Sequence, residues 1–275
     1  MEAQALPARS GAVTGWQHFV YVTRALTVTE FKLRYFDSVL GYVWTLLRPL
    51  MLFGVLYVVF THVVRFGDDV PHYPVVLLAA IVVYNYFSEA TGGGLTSLVA
   101  RENLLRKVSF PRAAVPISVS MTAAANLLLG LAVVFVFAII DGVEPGIGWI
   151  GFLACVAGVV VFATALAVLL SVLYVRFRDV QPIWEVVLQL MFWGTPIIYT
   201  IESVPEDFQE LVMMNPLAVL VQQGRHWLVP ESTVSAADAV GSTALLLVPL
   251  AVFAALVAIS WRVFRRSEGR VAEEL

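Results

Sequence analysis

The sequence predicts an all-α, polytopic membrane protein with six transmembrane helices, an N-terminal amphipathic interfacial helix and two short helices at the external face. Three observations predict it. Of 275 residues, 60% are hydrophobic and only 13% charged, and the mean hydropathy is +0.85, more apolar surface than a soluble domain hides. Charges are nearly absent from several runs long enough to cross about 30 Å of hydrocarbon. The basic residues also gather on one side of those runs.

The chain opens on a cytoplasmic arm and interfacial helix, residues 1–40. Residues 1–15 carry no apolar run of signal-peptide type, so the first span is expected to direct insertion. Within residues 16–40, Phe19, Val22, Leu26, Leu33, Phe36 and Leu40 fall on one arc of a helical wheel, and Thr23, Thr27, Glu30 and Arg34 on another. That pattern suits a helix lying in the membrane interface, with a break or tilt expected at Asp37.

Six spans fill residues 41–264, at 41–64, 75–98, 113–140, 147–175, 183–199 and 240–264. The fifth is short, and an interrupted apolar stretch follows it, broken at Asn215-Pro216. Two short helices that enter one membrane face without crossing account for residues 205–230, and backbone at that depth must be sheltered by protein. Residues 265–275 form a cytoplasmic tail.

Lys and Arg resist translocation more than Asp and Glu do, so their distribution sets the orientation. With both termini in the cytoplasm, fifteen of the 17 basic residues lie inside and only Arg65 and Arg225 outside, while Asp141, Glu202, Asp207 and other acids lie outside. The net charge of −3 therefore hides a polarised molecule. Basic residues spread along one membrane face do not suit nucleic acid as a partner.

Motifs of catalysis are missing: there is no Walker A loop, no G-x-S-x-G, no H-E-x-x-H and no paired-carboxylate signature. No catalytic, cofactor-binding or metal-ligating residue is assigned. Gly92-Gly93-Gly94 lies inside the second span without a strand before it or a Lys after it, which favours close helix packing or local unwinding over a phosphate loop. His18, His62, His72 and His226 lack ligand spacing, and the single cysteine, Cys155, is expected to be a small packing residue.

The cytoplasmic loop after the second span mixes Arg101, Glu102, Asn103, Arg106 and Lys107 with Leu104, Leu105, Val108 and Phe110 before Pro111 stops it. A plain positive-inside loop needs no apolar face. The apolar side chains predict a short amphipathic helix, residues 101–110, that docks in a groove on a soluble partner.

Three segments resemble the membrane subunit of polysaccharide-exporting ABC transporters, the ABC-2 permease type that exports O-antigen, teichoic acid or capsule. RYFDSVLGYVWTLLRPL, residues 34–50, resembles the family's entry to its first span through Ser38, Leu40, Gly41, Trp44, Pro49 and Leu50. NLLRKVSFPRAAVPIS, residues 103–118, resembles its coupling-helix segment through Asn103, Leu104, Lys107, Phe110, Pro111 and Arg112. Residues 174–217 resemble its fifth span and outer gate helices, notably at Arg178, Asp179, Trp193, Thr195, Pro196, Ile197, Tyr199, Pro205, Asn215 and Pro216. Phe36-Asp37 departs from the family's usual basic residues.

The resemblance implies a homodimer in a bacterial cytoplasmic membrane, paired with two copies of a separate ATPase subunit that binds ATP and Mg. This chain itself would hold no cofactor. Closure of the ATPase would push on the coupling helix, and rocking of two permease copies would pass a lipid-linked glycan between them. Sugar C–H faces pack on rings, so Trp44, Tyr84, Tyr86, Phe192, Trp193 and Tyr199 are candidate channel liners. Pro205, Phe208, Asn215 and Pro216 mark the external gate. Two classes stand as alternatives: an ABC-2 exporter of a drug or lipid, and a membrane-embedded glycan-processing enzyme.

Arg48 and Glu89 lie at similar depths in adjacent antiparallel spans. Isolated charges at such depth are costly, so the two are expected to pair.

Overall fold

The computed structural model describes residues 15–35, 41–64, 70–108, 110–241 and 244–267, and the side chains of 34–35, 41–46, 48 and 267 fall outside that description. The described residues contain no strand and are mostly helical, in eleven α-helices joined by short turns and loops. Four are long and apolar enough to cross a membrane: α3 (Tyr73–Ala100), α5 (Ala114–Ile140), α6 (Gly148–Arg176) and α11 (Leu247–Ser267).

The remaining expected spans are shorter. The first is α2 (Gly41–Tyr57), which contains Pro49 and gives way to a π-helical turn at Val58–Val63 instead of continuing as one α-helix. The fifth is α7 (Val180–Gly194), five residues shorter at its C-terminal end than the apolar run to Tyr199 suggested. Its C-cap, Thr195, is already extended, and Pro196 follows. The sixth begins later than expected. Val240 closes the short α10 (Ala236–Val240), where Gly241 at φ 67° takes the left-handed cap, and α11 starts at Leu247. Six crossings are therefore not carried by helix length alone.

α3 is the central helix. In its apolar window 78% of residues are buried, against 17% in α11, because α5 and α6 enclose α3 while α11 packs at the periphery. The glycine run keeps α3 continuous and brings it close to its neighbours. A Cβ on Gly94 would lie 2.5 Å from Cβ of Ala167 on α6, and one on Gly93 3.0 Å from Val119 on α5, while Gly92 faces open space. Close packing, without unwinding, explains this motif.

Near the C-terminal end of α3, α1 (Gly15–Tyr35) lies against α5. Phe19 and Leu26 join a second core cluster with Leu98, Leu105, Val115, Val172 and Phe264. The polar arc does not face away from the protein, since Thr23, Thr27 and Glu30 are half-buried, whereas Leu33 from the apolar arc is exposed. Phe36, Asp37 and Leu40 lie outside the described residues.

At the opposite end of the bundle, α8 (Glu206–Met213) and α9 (Pro216–Leu228) form two short helices within the stretch where two were expected. Pro205 caps α8, whose first turn carries Glu206 and Asp207 at the positive end of its dipole. Asn215 caps α9, its Oδ1 accepting from the Leu217 N–H at 3.0 Å, and Pro216 opens the helix. α9 rests on α6 along a line of glycines: a Cβ on Gly151 would meet the Trp227 indole at 2.5 Å, and one on Gly158 would meet Leu220 at 2.9 Å.

Candidate functional site

Three regions gather the polar and aromatic side chains that an apolar bundle does not need for folding. The first is the turn after α3. The helix expected over residues 101–110 is α4, Glu102–Lys107, shorter because Arg101 sits in the turn before it and Val108 is extended after it. Leu105 and Phe110 point inward and root this segment in the second core cluster. Asn103, Leu104, Arg106, Lys107 and Val108 are exposed, and Arg106 pairs with Glu102 one turn away at 2.7 Å. The apolar face is thus divided, with Leu105 and Phe110 as anchor and Leu104 and Val108 as exposed contact.

Arg101 turns back into the protein, where burial lowers its pKa from the ordinary value. Its Nη2 pairs with Glu30 Oε1 on α1, and its Nη1 donates to Ser118 Oγ on α5 at 3.3 Å. Thr122 Oγ1, one turn further along α5, reaches Glu30 Oε2 at 3.3 Å. Nothing in the local sequence announces this pair, whose members lie on helices separated by most of the first two spans.

The second region is the edge of α7. One face packs on the core through Trp184, Leu188, Met191 and Phe192, with Trp184 Nε1 donating to Thr91 Oγ1 at 3.1 Å. The opposite face exposes Ile183, Val186, Leu190 and Trp193. Between the two faces runs a polar ladder at four-residue spacing, Gln181, Glu185 and Gln189. Gln181 Nε2 donates to Glu185 Oε1 at 3.2 Å and accepts from Tyr174 OH at 3.0 Å through its Oε1, while Arg178 lies over the Tyr174 ring at 5.0 Å. An open groove of about 630 Å³ between α3 and α7 is lined by Tyr84, Ser88, Glu185, Gln189 and Phe192. The ladder was readable as three polar residues on one face of an apolar helix, a pattern that lipid disfavours.

The third region is the cap at the opposite end of the bundle. Past α7, residues 195–198 are buried outside any helix, with the Thr195 N–H still bonded back to the Met191 carbonyl at 2.9 Å. Their carbonyls are served from elsewhere: Tyr73 OH on α3 donates to Ile198 O at 2.8 Å, and Arg225 Nη1 on α9 donates to Pro196 O at 2.5 Å and Tyr199 O at 3.0 Å. Buried carbonyls outside any helix thus find donors within the protein. Asn215 Nδ2 adds a link to Thr195 Oγ1 at 3.4 Å. Arg225, an external basic residue in the sequence, is fully buried. Burial pushes its pKa down to about 10 against the favourable fields of Tyr73, Glu202 and Tyr199, so it keeps its charge at neutral pH. Glu202 in turn accepts from Thr233 Oγ1 at 3.0 Å and from the Val234 N–H at 2.6 Å. Phe208 of α8 stays exposed.

Residues 21–227, from within α1 to the last turn of α9, match the family model described as ABC-2 type transporter. The chain belongs to the ABC-2 type transporter family. Its relatives include an O-antigen export system permease protein RfbA of Klebsiella pneumoniae, 30% identical over 201 residues, which are 73% of this chain and 77% of the relative. RfbA of Myxococcus xanthus is 32% identical over 199 residues, 72% of this chain and 76% of the relative. The polysialic acid transport protein KpsM of Escherichia coli is 20% identical over 227 residues, covering 80% and 85%.

In this ABC-2 transporter chain the candidate aromatics divide by position. Tyr84 and Tyr86 are buried inside the bundle, Tyr84 donating to the Leu188 carbonyl and Tyr86 sharing a hydrogen bond with Ser120 Oγ at 2.9 Å. Phe192 is half-buried, edge-on to Tyr84 at 5.2 Å and to Trp193 at 5.5 Å. Tyr199 is half-buried and donates to the Trp193 carbonyl at 3.0 Å. Trp193 alone among these described rings is largely exposed. Trp44 and Arg48 lie outside the described side chains. Glu89 accepts from Asn126 Nδ2 on α5 at 3.0 and 3.2 Å. Of the histidines, His72 pairs with Asp141 at 2.7 Å and His226 contacts the Thr233 carbonyl at 2.9 Å.

Proposed function

We propose that this chain is the membrane subunit of an exporter that carries a lipid-linked polysaccharide across the bacterial cytoplasmic membrane. Similarity over 73% of the chain to a permease named for O-antigen export carries this reading. Two copies would pair with two copies of a separate ATPase, with both termini in the cytoplasm. ATP and Mg would be bound by that partner. The exposed face of α4, Asn103, Leu104, Lys107 and Val108, would seat in the ATPase.

The α7 edge has the chemistry for such a substrate. Glu185 and Gln189 offer hydrogen-bond partners to hydroxyls, and Phe192 and Trp193 offer flat surfaces to sugar C–H faces. A groove for an apolar drug would have little use for the ladder. Arg225 and Asn215 would hold the external cap against which the emerging glycan passes.

Co-expression with a candidate partner ATPase of the ABC type tests the proposal. The expected result is a stable complex whose ATP hydrolysis is stimulated by lipid-linked glycan and which moves glycan into sealed vesicles. Stimulation by lipophilic drugs with no response to glycan would replace this reading with drug export. A chain that purifies without an ATPase and hydrolyses or polymerises glycan would overturn it.

A further inference from the structure

The pair between Glu30 on α1 and Arg101 at the root of α4 is the least expected contact in the cytoplasmic half. Both side chains are about four-fifths buried, at 21% and 20% exposure, unlike a solvated surface pair of little consequence. The hydroxyls that complete it, Ser118 and Thr122, are buried on one face of α5. Ser118 Oγ donates to the Val115 carbonyl at 2.7 Å and keeps its lone pairs for Arg101, while the single Thr122 hydroxyl proton is shared between the Ser118 carbonyl at 2.9 Å and Glu30 Oε2 at 3.3 Å. A planar guanidinium serving two acceptors at once fixes direction as well as distance.

This joint sits where force would enter. α4 has six residues and is rooted by Leu105, by its backbone continuation from α3, and by Arg101. Leu105 leads into α5 and α6, and the backbone into α3. Leu105 also shares its cluster with Phe19 and Leu26 of α1, and Arg101 adds the polar, directional link to that helix. Five residues separate the last residue of α1 from the first of α2, so a displacement of α1 reaches the start of the first span over a short tether.

We propose that the Glu30–Arg101 pair makes the interfacial helix α1 a moving part of the drive contact, carrying displacement of α4 to the first span. Glu30 and Arg101 are positioning residues for transport: they bind neither nucleotide nor glycan. The proposal rests on the ATPase-driven reading given above.

The test uses the full chain in complex with its ATPase, in sealed vesicles loaded with lipid-linked glycan, and measures glycan moved per ATP hydrolysed. E30Q is expected to assemble with the ATPase and to lower that ratio by about fivefold or more. R101Q should lower it to the same extent, E30Q/R101Q should be no worse than either alone, and the exchange E30R/R101E should recover most of it. T122V, which removes only the hydroxyl at Glu30, should lower the ratio in the same direction by less. This milder variant keeps the proposal testable if E30Q fails to fold.

A wild-type ratio in E30Q, or in T122V where E30Q fails to fold, would overturn the proposal. So would loss of assembly in every variant including the exchange, which would make the pair a folding staple. If the wild-type complex itself shows no coupling of hydrolysis to transport, the ATPase-driven reading fails instead.

Discussion

Arg225 donates to the Pro196 carbonyl at 2.5 Å, tying the short helix α9 to the unwound stretch that follows α7. The same nitrogen reaches Tyr199 O at 3.0 Å. Replacing Arg225 with leucine strips both carbonyls of a donor in a buried place, and each such loss costs about 1–3 kcal/mol. R225L is expected to unfold at a clearly lower temperature in detergent and to become sensitive to protease between α7 and α8. R225K keeps the charge but not the two-acceptor reach, and should fall between. Wild-type melting and protease resistance in R225L would show that the cap is held by other contacts.

The glycine run in α3 makes a contrast within three residues. A methyl on Gly94 must displace Ala167, and overpacking of this kind costs about 1–3 kcal/mol, whereas a methyl on Gly92 meets nothing within 4 Å. G94A should lower the unfolding temperature. G92A should leave it unchanged or raise it, since alanine is the better helix former by about 1 kcal/mol. Equal behaviour of the two variants would argue against close packing of α3 on α6.

Much of this fold is legible in the sequence because lipid imposes a simple demand, long uncharged helices, that hydropathy reads directly. What hydropathy cannot read is which helix is central. α3 and α11 are both apolar runs, yet one is enclosed by protein and the other lies at the edge, because lipid and protein interiors are equally apolar. The same blindness placed the end of the fifth span at Tyr199, since Thr195-Pro196 breaks the helix while the apolar run continues through Ile197 and Ile198.

Side-chain destinations were harder still. Arg225 counts as one external charge in the sequence, and only the fold brings the Pro196 and Tyr199 carbonyls to it. Glu30 sits on the polar arc of α1, and its orientation toward Arg101 follows from the docking of α1 on α5, which no local pattern encodes. The apolar face of the loop at 101–110 was visible, but its division into Leu105 as root and Leu104 as contact required the second core cluster.

Gly151 lets the Trp227 indole lie against the α6 backbone, which sets the height of α9 over the bundle. G151V is expected to push α9 outward at a cost of about 1–3 kcal/mol. W227A alone removes packing and should also destabilise. Because the two changes act on one contact, G151V/W227A should be less destabilised than the sum of the singles by about 0.5 kcal/mol or more. Thermal unfolding of the four proteins checks this, and simple additivity would remove the contact from the account of how the external cap is seated.

Tyr86 and Trp193 lie at opposite extremes of burial among the candidate aromatics. Tyr86 is buried on α3, and its hydroxyl meets Ser120 Oγ, which in turn meets Thr164 Oγ1 at 2.6 Å, so one chain of hydroxyls joins α3, α5 and α6. Hydrogen bonds between membrane helices average about 0.6 kcal/mol, so Y86F should cost a small but measurable stability and leave glycan export intact. Trp193 is 60% exposed on the face of α7 away from the core. W193A should therefore leave the unfolding temperature nearly unchanged while reducing export, with W193F retaining more activity than W193A because the flat ring persists. Export assays in vesicles beside melting curves distinguish the two side chains. Export lost in Y86F at wild-type stability would move Tyr86 to the transport path, and full export by W193A would take the exposed face of α7 out of it.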